Sequence, residues 1–333
     1  MTRPTMQDIA NQLNISINAV SIALNDKEGV SNELRIEILE TAVEMNYPLK
    51  KLNAKETLKS KTLSIMIESK KKNDQYYLDI LKHIKKEAKI FGYRILTDYY
   101  QIDEFIVPES ISEHHVVGVI VLGKITNEVI LSLRLYIQEV LYVNHSLPHF
   151  NVNSIITNEF LSGYLSCEYL IKHGLKQIGF IGEIESSKNF KQRYQGYRQC
   201  LNNYFDIHKH DLVCLTRGIE NAVLENNYQY IQKMLLTYRK MPEAFVCVND
   251  RNAAIVIKAL QYNGYKIPQD IKVIGFDNLE FSQSMKPSLT SLEVNRHQIA
   301  RKVIRKINEM IHETTIPETI MLSPHIIERE STK

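Results

Sequence analysis

The chain of 333 residues contains no tryptophan and only four cysteines. It also has no apolar run approaching the roughly 18 residues that a membrane helix needs. Each shortage excludes something. Cys167, Cys200, Cys214 and Cys247 are far apart, with no C-x-x-C pair, so neither a zinc knuckle nor a disulfide framework is expected. They read as small buried residues in a reducing compartment. Without tryptophan, the strongest sugar-stacking side chain is missing. Met1 to Ala10 carries Arg3, Gln7 and Asp8 and has no apolar segment, so the expectation is a cytoplasmic chain with no membrane partner. His114 and His115 have no carboxylate or cysteine at a ligand spacing, so no metal is expected. No G-x-G-x-x-G or G-x-S-x-G occurs. Gly118-x-x-x-x-Gly123-Lys124 approaches a phosphate loop, but Ile125 stands where the magnesium-binding hydroxyl belongs, and the interior is strand-like. No cofactor follows from any of this, and no paired acid/base constellation suggests an enzyme.

A one-signed charge is absent as well. The net charge is +3, and residues 1–60 hold seven Lys/Arg against eight Asp/Glu. The acids gather between Asn32 and Met45, while Lys50, Lys51, Lys55, Lys59 and Lys61 cluster just after. For phosphate attraction a patch matters more than a sum.

The first segment has a clear pattern. Thr5 is placed to cap a helix Met6 to Leu13, with Asp8 in its first turn and Ile9, Ala10 and Leu13 on one face. Asn14-Ile15 breaks it, and Ser16 caps a second helix, Ile17 to Asn25. Val20 and Leu24 are expected to face the first helix. Asn18, Ser21, Ile22 and Asn25 then share the opposite face, which in a helix-turn-helix enters the major groove. A third helix runs from Ser31 or Asn32 to Met45.

Met6-Gln-Asp-Ile-Ala10, Ile15-Ser16, Ala19-Val-Ser-Ile-Ala-Leu-Asn25, Gly29-Val-Ser31 and Asn46-Tyr47-Pro48 together resemble the lactose/galactose repressor (LacI/GalR) family. The resemblance implies double-stranded operator DNA as partner. Its DNA-facing residues would be Thr5, Met6, Ser16, Ile17, Asn18, Ser21, Ile22, Asn25, Ser31 and Tyr47. Two departures stand out. Ile22 occupies a place where the family often has Arg, so it either meets a thymine methyl or only packs. The hinge, Ala54-Lys-Glu-Thr-Leu58, is one residue longer than usual and holds Glu56. Leu58 is the candidate minor-groove wedge, with Leu52 as rival.

From Leu63 onward, strands and helices alternate. Strands are expected at Leu63–Ile67, Arg94–Asp98, Val116–Leu122, Glu139–Val143, Gln177–Ile181, Ala244–Val248 and Ile271–Phe276. Helices are expected at Tyr76–Phe91, Ser162–His173, Arg193–Leu201, Tyr228–Thr237, Ala253–Asn263 and His297–Ile311. This order means doubly wound parallel sheets that bind ligands at the carboxyl ends of strands. Asp74-Gln-Tyr-Tyr77, Lys176 to Gly182, Arg193-x-x-Gly-Tyr197, Val248-Asn-Asp250, Ile267 to Asp277 and Pro287-Ser-Leu-Thr290 extend the family resemblance over nearly the whole chain.

The expected fold is therefore an all-α helix-turn-helix head (1–49), a hinge (50–61) and an α/β, periplasmic-binding-protein-like core (62–333). Its subdomains would be about 62–157 with 290–318, and 158–289 with 319–333. The resemblance implies a homodimer and a small sugar effector in a cleft between the subdomains. Asp74, Tyr76, Tyr77, Arg193, Asn249 and Asp277 are the effector candidates: Arg offers forked donors, Asp accepts from paired hydroxyls, and tyrosines stack. The plainer reading makes Asp74 a helix cap and the tyrosines core. Thr157 stands where the family commonly has Asp. Asp74-x-Tyr-Tyr-Leu78 and Gly118 to Gly123 look most like galactose or β-galactoside regulators. A sugar-binding module without DNA regulation and a sugar-metabolising enzyme remain the competing readings.

Overall fold

The computed structural model describes residues 4–25, 27–45, 47, 61–145, 150–205, 214–215 and 217–333. The proposed hinge up to Ser60, with Leu52 and Leu58, lies outside the described residues.

Three helices form the head: α1 (Met6–Leu13), α2 (Ile17–Leu24) and α3 (Asn32–Glu44). Each starts where a short polar side chain can satisfy an orphan amide. The Thr5 hydroxyl accepts from Asp8 N while the Asp8 carboxylate accepts from Thr5 N, a full capping box. Ser16 Oγ accepts from Ala19 N, and Ser31 Oγ accepts from Leu34 N. Ile9, Ala10, Val20, Ala23, Ile38 and Ala42 make the head's core, with Met6, Leu13, Leu24 and Tyr47 packed partly against it. Helix α2 ends at Leu24. Asn25 is its C-cap, and Ala23 rather than Leu24 is the fully buried partner of Val20.

Beyond the head the elements run β1 (Thr62–Glu68), α4 (Gln75–Ile90), β2 (Arg94–Tyr100), α5 (Glu109–Ser112), β3 (Gly118–Leu122), α6 (Asn127–Arg134), β4 (Val140–Val143), β5 (Asn153–Thr157), α7 (Glu159–Lys172), β6 (Ile178–Ile181), α8 (Lys188–Tyr204) and β7 (Cys214–Leu215). They continue with α9 (Ile219–Leu224), α10 (Tyr228–Leu235), β8 (Ala244–Cys247), α11 (Asp250–Tyr262), β9 (Lys272–Phe276), α12 (Glu280–Ser284), β10 (Thr290–Glu293), α13 (Arg296–His312), β11 (Thr319–Leu322) and β12 (His325–Ile327). No helix among the described residues is long and apolar enough to cross a membrane.

The chain divides into two units, 1–156 with 296–320, and 157–295 with 321–333. Each holds one six-stranded sheet, in the orders β11-β5-β4-β3-β1-β2 and β12-β10-β9-β8-β6-β7. Central strands are parallel and apolar along their length, because helices cover both faces. All five residues of β3 are buried, as are all four of β8. Strand β12 joins the second sheet antiparallel to β10.

Several boundaries differ from the sequence expectation. Residues 290–295, assigned above to the first subdomain, belong to the second unit, because β10 pairs with β9 (Thr290 beside Ile274). Helix α7 begins at Glu159, three residues earlier than expected, since Asn158 Oδ1 accepts from Leu161 N and caps it. Helix α8 begins at Lys188, capped by Ser187, so Arg193 lies inside it rather than at its start. Strands β5, β7, β10, β11 and β12 were not foreseen. They are two to five residues long, too short for a hydrophobic period to register. Cys167, Cys200 and Cys247 are buried free thiols.

Candidate functional site

In the head, α2 separates its faces. Val20 and Ala23 are buried, whereas Ile17 and Asn18 are exposed and Ser21, Ile22 and Asn25 are half-buried. The exposed residues follow directly from Ser16, whose hydroxyl is engaged as the cap. The Asn25 side-chain amide donates to Ser21 O at 2.7 Å, so this residue turns back on its own helix. Ile22 lies beside Gly29, whose φ of +131° only glycine adopts without strain. Thr5, Ser16 and Ser31 thus stand at helix starts, and Met6 and Tyr47 lie against the bundle's core. One contributor was missed from the sequence. Arg35 on α3 donates to Ala23 O and Lys27 O, binding the carbonyl end of α2 to α3.

The effector candidates fall in both units, and each unit is described by itself. In the first, the Asp74 carboxylate caps α4 by accepting from Tyr76 N at 3.0 Å. Tyr76 and Tyr77 sit edge to face, 5.5 Å between ring centres. Tyr76 Oη accepts from the Asn144 side-chain amide, and the Arg296 guanidinium lies 5.7 Å from the Tyr76 ring. Neither tyrosine is fully buried.

In the second unit, Arg193 meets Asp277 at the carboxyl edge of the sheet, and Asn249 follows β8 at the same edge. Arg193 is buried. Its Nε donates to Glu159 Oε2 at 2.6 Å, its Nη1 donates to Val248 O at 2.5 Å, and its Nη2 lies 3.7 Å from Asp277 Oδ1. The guanidinium plane covers the Phe276 ring at 3.5 Å, a cation–π contact strengthened by desolvation. Asn249 caps α11, its Oδ1 accepting from Asn252 N. Asp277 follows the last residue of β9 with φ of +107°, and Asn278 has φ of +48°. Two successive non-glycine residues on the positive side cost about 1–3 kcal/mol each and persist only when held from outside. The holders are Leu292 O, which accepts from Asp277 N, Ser291 Oγ, which accepts from Asn278 N, and Arg329, which donates to Asn278 Oδ1.

Glu159 and Asp250 escaped the sequence reading. Thr157 stands at the position that the resemblance marks, yet the carboxylate that meets Arg193 comes from two residues later. A signal existed: Ser162, Gly163, Ser166 and Cys167 form a buried helical stripe of small residues behind Glu159, and a Glu at the head of such a stripe requires a partner. Asp250 is fully buried. Its carboxylate accepts from Leu279 N and Ser291 Oγ. Burial first, and then the neighbouring Asp277, push its pKa up to about 7.

That shift has a sign. Between about pH 4 and pH 7 the folded chain keeps a proton on Asp250 that the unfolded chain has released. Stability therefore falls as pH rises across this window and levels off above it. Asp250→Asn is expected to flatten that part of the profile, which urea unfolding at successive pH values would read. An unchanged slope would remove Asp250 as its source.

Residues 167–332 match the family model of a periplasmic binding protein-like domain. The chain is similar to the "NTD biosynthesis operon regulator NtdR" of Bacillus subtilis (strain 168), with 29% identity over 335 residues, covering 99% of this chain and 100% of that protein. It is similar to the "HTH-type transcriptional regulator GalR" of Streptococcus thermophilus, with 26% identity over 349 residues and 99% of each covered. Two solved structures share the fold, each with a TM-score of 0.67. One is the transcriptional regulator CelR–cellobiose complex, 19% identical, covering 99% of this chain and 100% of that one. The other is the Lac repressor dimer bound to operator and the anti-inducer ONPF, 18% identical with 99% of each covered.

Proposed function

We propose that this chain, similar from end to end to transcriptional regulators of the LacI/GalR type, is a regulator rather than an enzyme, a homodimeric repressor of operator DNA controlled by a small sugar-like effector. The observation that carries the DNA half is the division of α2. One face is locked into the head's core by Val20 and Ala23, and Ile17 and Asn18 stand out from the other. A rigid helix with a short polar side chain on its open face suits major-groove reading, where Asn makes paired hydrogen bonds to adenine. Two such heads on a symmetric dimer read a near-palindromic site. Leu78 and Ile90 of α4 and Leu96 and Tyr99 of β2 are exposed apolar side chains of the kind a partner subunit covers.

The effector half rests on the carboxyl edge of the second sheet, the usual ligand position in such folds. The strained backbone at Asp277 supports it, since strain held by several outside hydrogen bonds favours an aimed side chain. Effector and operator then influence each other's affinity reciprocally. The likeness of Asp74-x-Tyr-Tyr-Leu78 to galactose or β-galactoside regulators makes those sugars the first ligands to screen.

Gel-shift with the DNA upstream of the chain's own reading frame tests the first half. Specific retardation is expected, and its absence with and without sugars would sink the proposal. Asn18→Ala should weaken specific binding by about 1–3 kcal/mol, the scale of one base-reading pair, with little change on random DNA. Equal discrimination in mutant and wild type would take Asn18 out of base reading. For the effector half, Asp277→Ala should keep operator binding and lose the sugar response. A response of normal size would remove Asp277 from the site.

A further inference from the structure

Resting on the effector reading above, we propose that Glu68, at the carboxyl end of β1, is an effector-binding residue of the first unit and selects hydroxyl-rich ligands that carry no anionic group. The first sheet runs β11-β5-β4-β3-β1-β2, so its strand order reverses between β1 and β3. Open α/β sheets bind ligands in the crevice beyond the carboxyl ends at such a reversal. Glu68 is the last residue of β1, one step past Ile67, which pairs with Leu122 at the end of β3. It therefore stands at the reversal. In the second unit the order reverses between β6 and β8, and there Arg193 donates to Val248 O.

The hydrogen bonds around Glu68 leave it undersupplied. It is only 7% exposed, and a carboxylate so deeply placed needs donors or a cation. Among the described residues it has one hydrogen bond, from Lys124 N at 3.3 Å, and no ion pair. Its side chain does not cap the short turn Ser69–Lys71 that follows. Lys70 lies 3.8 Å from Asp103, and Lys72 lies over the Tyr99 ring. Lys124 is exposed, where water and salt screen its charge. The backbone opposite is shaped around the side chain. Gly123 has φ of +126°, and a Cβ there would lie 2.9 Å from Glu68 Cβ and 3.1 Å from Tyr100 Oη. The Tyr100 hydroxyl donates to Lys124 O and holds this loop. Burial, then nearby Glu68 and Tyr77, push the pKa of that hydroxyl up, which places the effector candidate Tyr77 in the same neighbourhood. A carboxylate only accepts, so sugar hydroxyls supply what it lacks. A phosphate or a second carboxylate would bring like charge to a dry site.

The test is calorimetry and thermal shift on the full chain, with operator gel-shift alongside. The probes are galactose, a β-galactoside, glucose and ribose, with the matching sugar phosphates and uronic acids. At least one neutral sugar should bind, and its phosphate and acid should bind about tenfold or more weaker. Glu68→Gln keeps an acceptor for Lys124 N and removes the charge. It should weaken the neutral sugar about tenfold, the difference between a charge-assisted and a neutral hydrogen bond, and narrow the discrimination to about threefold or less. Undiminished discrimination in Glu68→Gln would overturn the inference, because a merely structural Glu68 weakens every ligand alike. A phosphate or acid that binds the wild type as well as its parent sugar would also overturn it. Either result leaves the effector-controlled regulator standing. No binding by any probe, with specific operator retardation intact, would overturn the sugar half of the proposed function and this inference with it. If Glu68→Gln does not fold, Glu68→Asp decides. It keeps the charge but withdraws the oxygens, so the neutral sugar should bind about tenfold weaker with discrimination kept, and unchanged affinity would overturn the contact.

Discussion

Gly196→Ala is expected to collapse the second unit. A Cβ at Gly196 would lie 1.8 Å from Phe160 O, and one at Gly163 would lie 1.7 Å from Arg193 O. The two glycines face each other's helices, so α7 and α8 pack backbone against backbone. Nothing flexible can yield there, because both obstructing atoms are main-chain carbonyls. The helices must part by more than 1 Å, which strips contacts from a core built on Cys167, Leu170, Tyr197 and Cys200. Overpacking in cores costs about 1–3 kcal/mol when side chains can adjust. Here they cannot, and a loss of at least about 3 kcal/mol is expected from chemical denaturation. Gly174→Ala is the control. Nothing lies within 4 Å of its Cβ, and its φ of +86° costs only the strain of a left-handed alanine, about 1 kcal/mol. Equal effects at the two positions would refute the close-packing account.

Arg193→Ala is the second large effect. It leaves Glu159 buried without its cation and exposes the Phe276 ring to a cavity. Removing one partner of a buried ion pair typically costs about 3–5 kcal/mol, because the remaining charge is stranded. Arg193→Lys keeps a cation beside Glu159 and should lose clearly less than Arg193→Ala in chemical denaturation. Equal losses would mean that packing, not charge, dominates. The double change Arg193→Leu with Glu159→Leu should recover much of the stability and none of the ligand response.

Helix caps and apolar strands were the legible part of this fold. Thr5, Ser16 and Ser31 announce the head's helices by side-chain chemistry that acts locally. The central strands β3 and β8 announce themselves because both faces are covered. What stayed hidden depends on distant partners. Thr290 and Ser291 carry no strand pattern of their own, yet Ser331 Oγ accepts from Thr290 N and donates to Val273 O, closing the strand from 41 residues away. The same holds at the site. Arg193 and Asp277 were named from the sequence and lie 3.7 Å apart, but Glu159 acquires meaning only when α7 meets α8. Asp74 and Asn249 carry capping duties whatever else they do. Ser, Asn and Asp before a helix cap it by local chemistry, so the plainer reading holds for Asn249 as well as for Asp74.

The three passages of the chain between its units set an order of events during synthesis. The head is one continuous stretch, and its caps and core are complete by Tyr47. The first unit lacks α13 and part of β11 until residue 320 is made, and the second lacks β12 until 327. At roughly 5–20 residues per second, a nascent chain spends on the order of ten to fifty seconds with a finished DNA-reading module and no finished sensor. Premature termination in that interval would release heads that neither pair through the core nor answer to a ligand. The expected phenotype of late nonsense alleles is therefore loss of control, accompanied by weak, monomeric DNA contact.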